Sequence, residues 1–334
     1  MNLDRQEHFC IFNSRTELGE RMRKFLLKLF FACIPILIYV CAFVAFEPYN
    51  YFGLKTEKVS NWATPLARVR TFMHEPSAYI ILGDSRMKDF DLNYVEELTG
   101  EQYANLSTGG QGLNQTKELY DWIRQKIDVE KIVMDVSFYQ IRWGNNGASV
   151  IPVLYIAEHP LDYIVTRDYV IETFEQIQKS INQKVVTNNA NIISTLEEES
   201  TSGKYREDLV IYATENIYPG CQNYKIGEEQ MKYVTDILID MENSGKEVIL
   251  VTPPIQDSIW EYVIEPMELE AQMNEYKERL SEYAPIYDME WKNEFTANQD
   301  NYADGFHLTG ELYKVFTDNV FGQQKTLVRE WKEH

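Results

Sequence analysis

The most apolar stretch of the chain comes early. Leu29 to Phe46 (LFFACIPILIYVCAFVAF) runs for 18 residues without a charge, close to the ~20 residues that cross a bilayer as a helix. Arg15, Arg21, Arg23, Lys24 and Lys28 precede it, and Glu47, Pro48, Tyr49, Tyr51 and Phe52 follow it. Basic residues before a span and aromatics after it predict an N-terminus in the cytoplasm and the remainder outside. A cleaved signal peptide would end in small residues spaced A-x-A. Here Phe43 stands two residues before Ala45, so the expectation is an uncleaved anchor.

After a polar stem, with a helix expected around 62–73, the pattern changes to short apolar runs alternating with helical periodicity. Tyr79–Leu82, Gln102–Leu106, Lys131–Val136, Glu247–Val251 and a run ending at Ile286-Tyr287 suit buried strands. Between them, Leu92–Leu98, Asn114–Ile127 and Glu268–Tyr283 read as helices, and a last helix starts near Thr309. Such alternation predicts an α/β three-layer sandwich with a mainly parallel five-stranded sheet. Residues 141–235 interrupt the rhythm with two further helical patterns, about 160–184 and 226–243. Thr195–Asp208 (TLEEESTSGKYRED) has the composition of an exposed loop. The expected organisation is a cytoplasmic segment 1–28, an anchor 29–46, a stem 47–76 and an α/β domain 77–334 with an insertion at 141–235.

Charge narrows the partners. The chain is 334 residues long with a formal net charge of -20, and all of that excess lies beyond the anchor, since residues 1–46 are slightly basic. Such a surface repels a phosphate backbone, which disfavours nucleic acid. Only Cys221 of the four cysteines falls in the large domain, so no disulfide can form within it. No metal-ligand spacing occurs, and no cofactor motif is present.

The candidate chemistry sits where strands end. The first strand delivers Gly83-Asp84-Ser85-Arg86 to the mouth of the sheet, where functional groups of parallel sheets collect. A serine hydroxyl needs an adjacent base, and that base needs an orienting group. His307 lies in Asp304-Gly-Phe-His307 near the C-terminus. A carboxylate three residues before a histidine on one loop can hold its second ring nitrogen. Met87 stands where a nucleophile elbow would carry its second glycine, which disfavours an α/β-hydrolase fold.

Gly83-Asp84-Ser85 after the first strand and Asp304-x-x-His307 near the end resemble the SGNH, or GDSL-like, hydrolase superfamily. Asn105-Leu-Ser-Thr-Gly109-Gly110 resembles that family's second block. The resemblance covers roughly 79–140 and 246–325. It implies a catalytic triad of Ser85, His307 and Asp304, with the backbone N–H groups of Ser85 and Gly110 facing a developing oxyanion. The family's third block supplies an asparagine to that oxyanion hole. Here the third strand runs into Asp135-Val-Ser137-Phe138-Tyr139-Gln140, and strand register puts Tyr139 in the asparagine's place. Either the Tyr139 hydroxyl or the Gln140 amide could donate instead. Arg86 also replaces the leucine that usually follows the serine.

A serine triad with an oxyanion hole makes and breaks an acyl-enzyme. An anchored, extracytoplasmic domain of this type is similar to proteins of alginate and peptidoglycan O-acetylation, and to the D-alanyl transfer protein of teichoic acid systems. That resemblance implies acyl, chiefly acetyl, transfer to a cell-surface polysaccharide beside a membrane-bound O-acyltransferase. Two alternatives stay open: an esterase that removes acyl groups from glycan or lipid, and a non-catalytic assembly subunit.

Overall fold

The computed structural model describes residues 4–56, 59–186 and 219–331, with the isolated positions 211, 215 and 217. The loop expected at Thr195–Asp208 lies outside them. The chain divides into two compact units. One comprises 1–47 with Leu161–Asn182, and the other holds Pro48–Pro160 and the chain from Gln183 on.

The second unit is the α/β sandwich. In chain order it contains α2 (Pro65–His74), β1 (Tyr79–Leu82), α3 (Leu92–Thr99), β2 (Tyr103–Asn105), α4 (Leu113–Arg124), β3 (Lys131–Asp135) and α5 (Ile151–Glu158). The sheet order is β2-β1-β3-β4-β5-β6, with β4 at Glu247–Thr252, β5 at Ile286–Asp288 and β6 at Arg329–Trp331. The first five strands are parallel, as the alternation predicts, and β6 pairs antiparallel on the edge. This sixth strand is three residues long, Arg-Glu-Trp, with no apolar run to announce it.

Register sorts the side chains into two faces. Ile81, Val133, Ile249 and Val251 share one face and pack with Met87, Phe90, Val95, Tyr103, Phe316 and Val320 in a continuous core. Ile80, Leu82, Ile132, Met134 and Leu250 are buried on the other face. Successive strand residues point to opposite sides, so these near-continuous apolar runs require a helix layer on each. α3 with the C-terminal helix Leu312–Phe321 forms one layer, and α4 with the helix Glu228–Asn243 forms the other. The latter packs on β4 as well. It is therefore the crossover helix from β3 to β4, and belongs to the sandwich rather than to the insertion.

The stem also joins this unit. Tyr51 is 1% exposed, and its hydroxyl donates to the Ile156 and Ala157 carbonyls at 2.8 and 3.0 Å. Arg70 bonds the Tyr51 carbonyl at 2.7 Å and the Ala157 carbonyl at 2.8 Å.

The first unit is built on α1 (Asp4–Phe46), which contains Pro35. Its stretch Arg21–Phe46 is long and apolar enough to cross a membrane. The expected helix at 160–184 is two helices, α6 (Pro160–Val165) and α7 (Arg167–Val186).

Candidate active site

Ser85 is delivered by the carboxyl end of β1, and Asp304 and His307 by the loop between the 3₁₀ turn Gln299–Asn301 and the C-terminal helix. β1 ends at Leu82, and Gly83 then passes very close to β3. A Cβ on Gly83 would stand 2.6 Å from Met87 Cγ and 2.8 Å from Asp135 Cβ, distances that only glycine permits. The turn beyond is shaped by Asp84. Its carboxylate accepts the Arg86 backbone N–H at 2.8 Å, and its carbonyl accepts the Met87 N–H at 3.1 Å. Ser85 is thereby held half-exposed between buried neighbours.

The second loop is sewn to this turn. Thr108 donates its backbone N–H to the Gly83 carbonyl at 3.2 Å. Asn105 donates its side-chain amide to the Met87 carbonyl at 2.7 Å and accepts the Ser107 N–H at 2.9 Å. Gly110 lies exposed on this loop at φ +67°, a left-handed conformation natural to glycine. Among the described residues, neither the Ser85 N–H nor the Gly110 N–H has a hydrogen-bond acceptor.

The third loop carries Asp304 and His307. Gly305, at φ +85°, lets the chain curl so that one Asp304 oxygen accepts the backbone N–H groups of Phe306 and His307 at 3.1 and 2.8 Å. The other oxygen accepts His307 Nδ1–H at 2.7 Å. Across 222 positions of sequence, His307 Nε2 meets Ser85 Oγ at 2.7 Å. Burial raises the Asp304 carboxyl, but the bonds from the His307 ring and the two amides outweigh it and hold it below the ordinary carboxylate range. An ionised Asp304 keeps the proton on Nδ1 and leaves the Nε2 lone pair facing the serine hydroxyl. The Gln256 backbone donates to the Gly305 carbonyl at 2.9 Å, tying this loop to the end of β4.

The structure thus brings Ser85, His307 and Asp304 into one hydrogen-bonded chain. Tyr139 and Gln140 are disposed otherwise than their sequence positions suggest. The Tyr139 hydroxyl donates to Asp84 Oδ2, so its only proton is committed away from any oxyanion. The Gln140 amide is fully buried and donates to the Gln111 carbonyl at 3.3 Å. Asn105, a glycosylation sequon by sequence, is 6% exposed and serves as a brace between loops.

Beneath the turn lies a buried charged cluster that sequence reading did not anticipate. The Arg86 guanidinium is 3% exposed and bonds Asp84 at 2.9 Å, Asp135 at 3.4 Å and the Ser137 hydroxyl. It also stacks 5.0 Å from the Tyr139 ring centroid. Burial raises the Asp84 carboxyl, but the Arg86 charge and the bonds from Arg86 and Tyr139 prevail and lower it. Asp135 goes the other way, since burial and the Asp84 charge push it well above the usual range despite Arg86. Beside one guanidinium the two carboxyls are thus pushed in opposite directions, Asp84 down and Asp135 up. Farther along, Asp288 accepts from Thr252 at 2.7 Å, Lys277 at 2.9 Å, Arg329 at 2.7 Å and Trp331 at 2.9 Å. Lys277 also lies 3.3 Å from Glu290, and Glu290 accepts the Tyr276 hydroxyl at 3.1 Å. The available signal was an acidic residue at the end of an apolar strand, at Asp135 and again at Asp288.

Comparison with known proteins gives fold-level likenesses. No protein-family model matches the sequence, and no curated protein matches it. Among solved structures, a protein designated an acylhydrolase from Bacteroides fragilis aligns at 14% identity with a TM-score of 0.36, covering 75% of this chain and 87% of its own. A GDSL-like lipase from Bacteroides thetaiotaomicron aligns at 11% identity with a TM-score of 0.34, covering 72% and 83%. The functional reading therefore rests on the geometry of the site.

Proposed function

We propose that this chain is a membrane-anchored serine enzyme that carries an acyl group on Ser85 and passes it to a hydroxyl of a cell-surface glycan. The observation that supports it is the Ser85–His307–Asp304 relay, with 2.7 Å at each step. Oγ would attack the acyl carbonyl while its proton moves to His307 Nε2. Asp304, already ionised, stabilises the imidazolium that results. The Ser85 and Gly110 N–H groups are suited to receive the oxyanion, a contribution of about 3 kcal/mol per donor. Collapse expels the donor's leaving group with the His307 proton and leaves acyl-Ser85. The acceptor hydroxyl then loses its proton to His307, attacks the acyl carbonyl and restores Ser85.

The transfer reading draws on the sequence resemblance and on α1 as an anchor, with a membrane-bound O-acyltransferase as the expected acyl source. Hydrolysis is the second reading, and the half-exposed Ser85 and His307 favour it because water can reach both. Cells carrying Ser85→Ala should lose acyl esters from their surface glycan. Glycan acylation that persists unchanged in that strain contradicts transfer. Rapid release of free acid by the purified wild-type chain, with no acceptor present, decides for hydrolysis.

A further inference from the structure

The unit formed by α1 with Leu161–Asn182 exposes apolar side chains in two places. The first is α1 itself, where Phe30, Phe31, Ile36, Leu37 and Ile38 are each more than 60% exposed, as a membrane span requires. The second lies on α6 and α7. Leu161 is 75% exposed, Val165 68%, Phe174 54% and Ile181 58%. On α7 the apolar positions Ile171, Phe174 and Ile181 fall within one sector, which Arg167 at the first turn and Gln178 share, while Asp168, Glu172, Glu175 and Lys179 fall on the adjoining one. That division is the pattern of a helix lying at a boundary between oil and water.

Contacts within the unit set the level of this second surface. Tyr39 and Phe43 belong to the apolar stretch of α1. The Tyr39 hydroxyl donates to the Ile164 carbonyl in the last turn of α6. The Phe43 ring packs edge-on against Tyr163, with centroids 5.2 Å apart, and the Tyr163 hydroxyl donates to Glu47 at 2.9 Å. Tyr39 precedes the end of α1 by about 10 Å at 1.5 Å per residue, and interfacial helices sink about 5–10 Å. If the stretch ending at Phe46 is in lipid, α6 is at lipid depth with it.

The polar groups are disposed for that position. Backbone carbonyls at helix ends cannot go unpaired where water is absent. Tyr39 satisfies the Ile164 carbonyl, and Thr166 satisfies the Asp162 carbonyl through its backbone N–H at 2.9 Å and its hydroxyl at 2.7 Å. Thr173 and Ser180 turn their hydroxyls onto the Tyr169 and Gln176 carbonyls, each at 2.8 Å.

We propose that α6 and α7 as far as Ile181 lie in the bilayer interface at the C-terminal end of α1, with Leu161, Val165, Ile171, Phe174 and Ile181 against lipid acyl chains. This rests on α1 being a membrane span. The charged stripe of α7 is more acidic than basic, so the attraction is apolar rather than electrostatic. Zwitterionic lipid suffices, and added salt does not release the helix.

The test is nitroxide accessibility in the full-length chain, with its four cysteines replaced and single labels introduced at Phe174→Cys, Ile181→Cys, Glu175→Cys and Leu37→Cys. The protein is reconstituted in phosphatidylcholine vesicles. Labels at 174 and 181 should be reached by oxygen and shielded from a water-soluble nickel complex, as at 37. Their oxygen-to-nickel ratio should be several-fold above that at 175. Nickel access at 174 equal to that at 175, with 37 still lipid-exposed, overturns the proposal and leaves the span intact. Exclusion of both reagents at 174 also overturns it, because a protein surface then covers the stripe. Nickel access at 37 would instead remove the span, and this inference with it.

Discussion

The Tyr139 hydroxyl donates its proton to Asp84, the residue immediately before Ser85. Tyr139 therefore ties the loop after β3 to the Ser85 turn and has no proton left for an oxyanion. Tyr139→Phe should lower kcat far less than the roughly 10²–10³-fold that follows loss of an oxyanion-hole donor. It should cost about 1–3 kcal/mol of stability by leaving Asp84 short of a partner. Ester-hydrolysis kinetics and urea unfolding on the same variant check both halves.

Asp304 needs its charge as well as its shape. Asp304→Asn presents an amide N–H to the ring nitrogen that now donates, which favours the wrong tautomer of His307. kcat should fall about 10⁴-fold while the fold persists. Steady-state kinetics beside a circular dichroism spectrum measures it, and a fall of only a few-fold would mean that Asp304 does not orient the ring.

The two aspartates bound to Arg86 should answer in opposite ways. Asp84 is ionised and is the nearer carboxylate to Arg86, so Asp84→Asn breaks the buried pair at a cost of about 3–5 kcal/mol. Burial and the Asp84 charge push the Asp135 carboxyl up, so Asp135→Asn, which keeps a neutral group in place, should be close to neutral in acid and stabilising at pH 7. The sign of the pH effect follows. A carboxyl with a raised folded pKa contributes stability below its unfolded pKa and loses it as pH rises towards the folded one. Wild type should therefore lose stability relative to Asp135→Asn between pH 4 and the folded-state titration of Asp135. Denaturation midpoints across that range would show it.

Asp288 is lowered to about 2; burial opposes this, and the Lys277 and Arg329 charges override it. Its contribution, about 2 kcal/mol from the shift, is present above the ordinary aspartate pKa and disappears as pH falls towards 2. Lys277→Met leaves Asp288 to Arg329 and takes from Glu290 its nearest cation, and should cost about 3–5 kcal/mol. Guanidinium unfolding of the variant at neutral pH, and of wild type between pH 5 and 2, tests the pair.

The parallel sheet was legible because strands buried on both faces must be apolar throughout, and Tyr79–Leu82, Lys131–Asp135 and Glu247–Thr252 are nearly so. The place of Ser85 was legible from the strand end before it, and the Asp304–His307 contact from their local spacing; the bond from His307 to Ser85 is what the fold adds. Arg86 was not, since a charged side chain after a turn serine reads as solvent-exposed until Asp84, Asp135 and Ser137 are seen to surround it. The commitment of Tyr139 escaped for a related reason: strand register gives the place of a residue, and hydrogen bonding decides which way its proton goes. β6 was hidden by its length and its charged residues. The crossover helix Glu228–Asn243 is indistinguishable from the insertion in sequence, because only its packing on α4 and β4 separates the two.

The claim that Ser85 is an activated nucleophile is tested most directly by a fluorophosphonate probe on the full-length chain, followed by peptide mapping. Ser85 Oγ should displace fluoride and form one phosphonate ester per chain. Labelling should be absent in Ser85→Ala and strongly slowed in His307→Ala, with the other serines untouched. A folded wild-type chain that leaves Ser85 unmodified, or that labels equally fast without His307, contradicts the account.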